Sequence, residues 1–219
     1  MTSVAARAAS ASLGDPLLIF PYNGNGIEAA DCLMGRYRLL GYIDDTPAKQ
    51  GRHPRGDVVY SREALREHGT AAVLAVHGSP ATYQQRRDVI DGLDIDPRRF
   101  ARVIHPGAHI SPTATLGYNV LICAGVVIGS NAVVGNHVCV LPNTVIHHDA
   151  RVEDWCLIGS NVTVAGRTIV GANCYIGSGT SLMNDIRIGE RALVGLGSSV
   201  LRDVLPGRRV AGNPHRYLD

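Results

Sequence analysis

The sequence predicts two units in series, a small α/β unit with a parallel sheet and then a long coil of short β faces. Three observations predict this. From Ile104 to Val200 every sixth residue is Ile, Leu or Val, seventeen positions without a slip. Strands repeat every two residues and helices every 3.6, so a period of six marks a repeat architecture with one inward aliphatic per face. The composition has few aromatics (5%) and 25 glycines, which suits a narrow interior with many corners. Before Ile104, by contrast, short apolar runs alternate with segments of helical spacing.

In chain order, residues 1–15 (MTSVAARAASASLGD) are small and polar and read as a mobile tail rather than a signal peptide, since no apolar core is present. The α/β unit is expected over 16–103. Leu17 to Phe20 is the first buried strand, Ile27 to Met34 the first helix and Arg38 to Ile43 the second strand, ending at Asp44-Asp45. A polar loop with Pro47 and Pro54 follows, then a short helix over Arg62–His68. Ala71 to Val76 is the third strand, Tyr83 to Leu93 a helix, and Phe100 to Ile104 the last strand. This alternation implies a Rossmann-like sheet. The coil is expected over 104–204, with three faces in each eighteen-residue turn, and residues 205–219 form a C-terminal tail. The residue just after each inward aliphatic is often Gly, as at Gly117, Gly129, Gly177 and Gly195, and is expected to take the positive φ of a tight corner.

The bulk numbers exclude several classes. A net charge of +2 gives no nucleic-acid surface, and no run approaches the roughly 18 apolar residues of a membrane span. Five cysteines without CxxC spacing give neither a disulfide framework nor a zinc site, and suit buried thiols in a reducing cytoplasm. Cys156 and Cys174, eighteen apart, should stack in adjacent turns.

Ligands of such sheets bind beyond the carboxyl ends of the strands. Three strand ends carry suitable groups: Gly24, Asn25 and Gly26 before the first helix, Asp44 and Asp45 after the second strand, and His77 and Gly78 after the third. The glycines would let a phosphate approach the backbone, and the carboxylates would accept from a base or ribose. Each also fits a plain turn. In the coil, His147-His148-Asp149 follows the inward Ile146, so it should project from a corner or outer face. A His beside a carboxylate can act as a general base, although such pairs are also common as solvated surface.

These residues carry a resemblance. Val145-Ile-His-His-Asp149, the run Val164-Ala-Gly-Arg-Thr-Ile-Val-Gly-Ala-Asn-Cys-Tyr-Ile-Gly177 and the ending Val210-Ala-Gly-Asn-Pro-His-Arg216 together resemble the hexapeptide-repeat sugar acetyltransferases. The match is to the sialic-acid O-acetyltransferase and nucleotide-aminosugar N-acetyltransferase type, which includes bacillosamine- and perosamine-acetyltransferases, and it covers residues 17–216. The resemblance implies a left-handed parallel β-helix, an exception to right-handed crossovers, in a homotrimer with active sites between subunits. It implies acetyl-CoA as co-substrate, no metal, and a cytoplasmic role in bacterial glycan or polysaccharide synthesis. The implied reaction is N-acetylation of a nucleotide-linked 4-amino-deoxy sugar. His148 falls on the catalytic base, Asp149 on its acidic neighbour and Gly166 on the residue whose N–H meets the thioester carbonyl. Gly166, Gly177, Gly195, Gly212, Pro214 and Arg216 fall on the CoA path.

The chain departs from the family at substrate-facing positions: Pro21 and Asn25 in the first loop, Leu141 where an Asn is frequent, and Leu157 where some members carry a second His. Three other readings compete: a sugar O-acetyltransferase, a non-catalytic β-helix scaffold or nucleotide-sugar-binding protein, and a zinc lyase of the γ-carbonic-anhydrase kind. The last lacks histidines, with none between His148 and His215.

Overall fold

The computed structural model describes residues 14–218. The expected tail therefore lies outside the described residues except for Gly14 and Asp15, and Asp15 already opens the first strand.

The α/β unit contains β1 (Asp15–Phe20), α1 (Gly24–Asp31), β2 (Tyr37–Ile43), β3 (Gly51–Arg52), β4 (Val58–Tyr60), α2 (Ala64–Glu67), β5 (Ala72–Ala75) and α3 (Arg86–Asp91). The strand expected to close its sheet, β6 (Arg102–Ile104), instead pairs with Val120–Ile122 and opens the coil, and among the described residues only a single bridge from Phe100 to Val73 reaches the α/β sheet. Its sheet runs β3-β4-β2-β1-β5, parallel except for the β3–β4 pair. Alternation along β1 explains why it is apolar throughout. Leu17 and Ile19 enter one core cluster, while Leu18 and Phe20 enter another with Leu65, Ile90 and Leu93 on the opposite face. A central parallel strand buried on both faces has this composition.

Helix α1 begins three residues before the expected Ile27, because the Asn23 side chain accepts from the Gly26 N–H at 2.9 Å and caps it there. A β-carbon on Gly26 would stand 2.2 Å from the Pro21 carbonyl oxygen, so this turn requires glycine. The expected helix from Tyr83 starts instead as a 3-10 turn at Tyr83–Gln85 before α3.

The coil is a prism of three parallel sheets. One face stacks His109–Ile110 through Ser199–Val200, a second Thr115–Leu116 through Arg187–Ile188, and the third runs from β6 through Leu193–Val194. Adjacent turns pair in a fixed register, for example Val145 with Thr163 and Ile146 with Val164. Every aliphatic of the series from Ile122 to Val200 is at most 1% exposed. Cys156 and Cys174 sit between them, each thiol directed at a carbonyl, Gly171 O and Gly189 O, at 3.1 Å.

The corners correct one expectation. The glycine after the aliphatic does not carry the positive φ. That conformation falls two residues later, on Asn131, His137, Asn143, Asp149, Trp155 and their equivalents. The glycine is there for closeness: a β-carbon on Gly129 would stand 2.8 Å from His148 N, and one on Gly177 2.7 Å from Leu196 N.

The outward residues of the third face are apolar because the α/β unit covers them. Leu121, Cys139, Leu157 and Leu193 join the cluster of Leu17 and Ile19. Asn119 pins the two units, accepting from Ala75 N at 2.7 Å and donating to Ala75 O at 2.9 Å. Arg86, fully buried, donates to the carbonyls of His137 and His77. At the far end Arg209–Ala211 extends the third face and Arg216–Tyr217 folds back antiparallel, so that Tyr217 packs on the end of the core.

Candidate active site

His148 and Asp149 occupy the corner between the first and second faces. Asp149 has φ +58, and its N–H is held by Ser130 O at 2.9 Å. Its carboxylate accepts from His148 Nδ1 at 2.8 Å through Oδ2 and from Asn131 Nδ2 at 3.1 Å through Oδ1. These two hydrogen bonds, His148 first, hold the Asp149 carboxyl below its usual range, so it is ionised at neutral pH. A carboxylate only accepts, so His148 carries a proton on Nδ1, and in the neutral ring Nε2 bears the lone pair. Both side chains are about half exposed, at 52% and 46%.

One turn further on, Gly166 occupies the same corner. A β-carbon there would stand 2.8 Å from both Nε2 and Cε1 of His148, so the imidazole lies over the glycine. Among the described residues no protein acceptor takes the Gly166 N–H, while its carbonyl accepts from Asp185 N at 3.1 Å. The corner thus combines an oriented imidazole and a free backbone donor, an arrangement able to serve acyl transfer to a nucleophile.

The other candidates lie elsewhere in the chain. Gly177 and Gly195 stack on the corner between the third and first faces, a full face away from His148. Gly212 joins them, its N–H on Ser198 Oγ at 3.2 Å and its carbonyl on Ser199 N at 3.0 Å. Pro214 and Arg216 are exposed beyond it, and His215 between them is buried.

In the α/β unit, Asn25 and Gly78 meet: Asn25 Nδ2 is 3.5 Å from Gly78 O. They line a cavity of about 160 Å³ with Leu141, Leu157, Gly159 and Tyr175, between the carboxyl ends of the strands and the third face of the prism. Gly24 is open to solvent on its side-chain side. His77 stacks on Phe20, and burial, with Arg86 adding to it, lowers its pKa. Asp44 and Asp45 have partners already. Asp44 is buried, bonded to Lys49 Nζ at 2.8 Å and Thr46 N at 3.0 Å, and Asp45 pairs with Arg62 at 2.5 and 2.7 Å. Burial pulls the Asp44 carboxyl up, but the Lys49 and Thr46 bonds outweigh it and the net shift is downward. A larger open cavity of about 680 Å³, beside Arg36, Arg99 and Tyr118, lies at the amino ends of the strands, away from all these residues.

Sequence reasoning passed over Asn131. Its signal was the eighteen-residue spacing itself, which places it directly against Asp149.

The model of bacterial transferase hexapeptides (six repeats) matches residues 131–166, and that of the hexapeptide repeat of succinyl-transferase matches 114–142 and 150–184. Sequence comparison with curated proteins gives no significant match. Among solved structures, the acetyltransferase domain of PglB from Neisseria gonorrhoeae FA1090, in complex with acetyl coenzyme A, is similar at 23% identity and a TM-score of 0.82, over 94% of this chain and 100% of that one. PerB from Caulobacter crescentus, in complex with CoA and GDP-perosamine, is similar at 24% identity and a TM-score of 0.82, over 95% and 99%. WeeI from Acinetobacter baumannii AYE is similar at 20% identity and a TM-score of 0.79, over 93% and 99%. The chain thus matches hexapeptide-transferase repeats within residues 114–184 and shares its fold with these three solved structures.

Proposed function

We propose that the protein is an acetyl-CoA-dependent N-acetyltransferase acting on the amino group of a nucleotide-linked amino sugar of the 4-amino-deoxy type. The observation that carries this reading is the His148–Asp149 pair standing over Gly166. PerB, which shares the two-unit fold, was solved with CoA and GDP-perosamine, and the PglB domain with acetyl coenzyme A. The reading includes a Rossmann-like first unit, a left-handed hand for the prism, and a role in cytoplasmic polysaccharide synthesis.

His148 Nε2 takes a proton from the sugar amine as the nitrogen attacks the thioester carbon. Asp149 keeps the imidazole oriented and stabilises the imidazolium that forms. The Gly166 N–H donates to the oxygen of the tetrahedral intermediate, a contribution of ~3–4 kcal/mol for a donor of this kind. The C–S bond then breaks, and the proton held on Nε2 passes to the departing CoA sulfur.

The separation of the two corners supports a trimer with shared sites. His148 and Gly166 lie on one edge of the prism, and Gly177, Gly195 and the 160 Å³ cavity lie across the first face. Prisms packed side by side would bring one edge of each kind together from neighbouring subunits. The CoA arm would then run between them toward Gly212, Pro214 and Arg216. Because Asp44 and Asp45 are engaged internally, the nucleotide would meet Asn25 and the Gly24–Gly26 turn first.

The test is thiol release from acetyl-CoA with a panel of UDP-, GDP- and dTDP-linked sugars. Release with a 4-amino sugar supports the proposal. Release only with a hydroxyl sugar makes the protein an O-acetyltransferase. No release, together with no CoA binding by calorimetry, makes it a scaffold or sugar-nucleotide-binding protein.

A further inference from the structure

We propose that Asn131 is a positioning residue for the acetyl transfer, fixing the Asp149 carboxylate so that His148 keeps its proton on Nδ1 and turns Nε2 toward Gly166. The inference rests on the function proposed above. Asp149 is the immediate chain neighbour of His148, and both are about half exposed. An exposed carboxylate at such a place has several rotamers open to it, and only one meets Nδ1. A second anchor removes that freedom.

Asn131 supplies the anchor from the preceding turn. Like Asp149 it has φ +58, so the two stack along the corner in the same backbone conformation. The Asn131 N–H is fixed by Thr113 Oγ1 at 3.0 Å, and its Nδ2 donates to Asp149 Oδ1 at 3.1 Å, leaving Oδ2 for His148 at 2.8 Å. The next residue along the column, Arg167, places Nε and Nη2 on Asp185 at 2.5 and 2.7 Å. The carboxylate therefore takes its second hydrogen bond from a neutral amide, not from a guanidinium. This matters chemically. A bound cation would offset the negative charge that stabilises the imidazolium, whereas an amide orients the carboxylate and leaves its charge for His148.

Two variants test this without straining the corner, because glycine and aspartate both accept a left-handed φ. Asn131→Gly deletes the donor, and Asn131→Asp keeps the shape but replaces the donor with a carboxylate. The measurements are steady-state kcat and KM for both substrates, and the His148 tautomer from ¹⁵N chemical shifts of histidine-labelled protein at neutral pH. We expect kcat to fall about tenfold in Asn131→Gly and further in Asn131→Asp, the scale of one exposed charge-assisted hydrogen bond. KM for acetyl-CoA should stay within about twofold if the bond acts on the base rather than on binding. The ¹⁵N shifts should move from the Nδ1–H tautomer toward a mixture. Wild-type shifts in both variants overturn the proposal, whether or not kcat falls, and so does an unchanged kcat beside altered shifts. The NMR measurement needs no turnover, so absence of acetyl transfer in the wild type would remove the proposed function separately.

Discussion

The imidazole of His148 occupies the space that a side chain on Gly166 would need, its Nε2 2.8 Å from the position of a β-carbon there. This contact crosses from one turn of the prism to the next and ties the candidate base to the candidate oxyanion donor. Gly166 is not among the positive-φ residues, so alanine there meets no backbone penalty, only the ring. Gly166→Ala is expected to leave the melting temperature within about 2 °C and lower kcat by ~10²-fold, since a small misplacement of a catalytic group has effects of that size. Thermal unfolding together with steady-state rates checks both halves. A kcat near wild type would remove the close His148–Gly166 approach from the mechanism.

His148→Ala removes the proposed base outright. Turnover should fall by roughly 10²–10⁴, the usual scale for general-base catalysis. Asp149→Asn is the finer test, because it keeps the shape of the partner while removing its charge. It should cost less than His148→Ala, and the two together should cost little more than His148→Ala alone, as expected for residues that act as a unit. Rates of the single and double variants decide it.

The prism was legible from the sequence because its period is local: each inward aliphatic, from Ile122 to Val200, lies where the count of six puts it. The same count places Gly166 against His148 and Asn131 against Asp149. The α/β unit was less legible because its details depend on contacts distant in the chain. Asp44 and Asp45 look like free strand-end carboxylates until Lys49 and Arg62 are placed on them. The short pair β3–β4 carries too few residues for a periodic signal. The glycines of the hexad have a steric rather than a conformational role, which sequence alone does not reveal because it does not show the spacing of the next turn.

Leu157 is expected to limit the acceptor. Its Cδ1 lies 2.7 Å from where a β-carbon on Gly78 would stand, and it closes the 160 Å³ cavity against the α/β unit. Leu157→Ala should enlarge that cavity at a stability cost of ~2–5 kcal/mol, typical of a buried leucine. The KM for the preferred sugar should rise while the KM for acetyl-CoA is unchanged, and sugars with a bulkier substituent should gain activity. Paired KM measurements on two acceptors of different size test this, and an unchanged preference would move the acceptor site away from Leu157.

His137 predicts how the junction between the units responds to acid. Asn119 has its amide orientation set by Ala75, so its Nδ2 donates to His137 Nδ1 at 2.9 Å, and that nitrogen must be an unprotonated acceptor. The ring is also stacked on Trp155, centroids 3.7 Å apart. Burial, and then the nearby Arg86, push its pKa down from 6.5 to about 4. The unfolded chain therefore binds this proton below about pH 6.5 and the folded protein only near 4. Stability is fully present above that window and falls as the pH drops through it, by roughly 3 kcal/mol in all. His77 and His215, also lowered by burial, add to the same slope, so the contribution of His137 is read as a difference. Asp44 acts lower, losing its contribution only as pH falls through its depressed carboxyl range. The variant His137→Asn suits the left-handed φ of +57 and carries no titrating proton. Urea midpoints at pH 7.5, 6 and 5 should fall less steeply in this variant than in the wild type. Equal slopes would assign the acid sensitivity to the other histidines and leave the Asn119–His137 contact without a role in it.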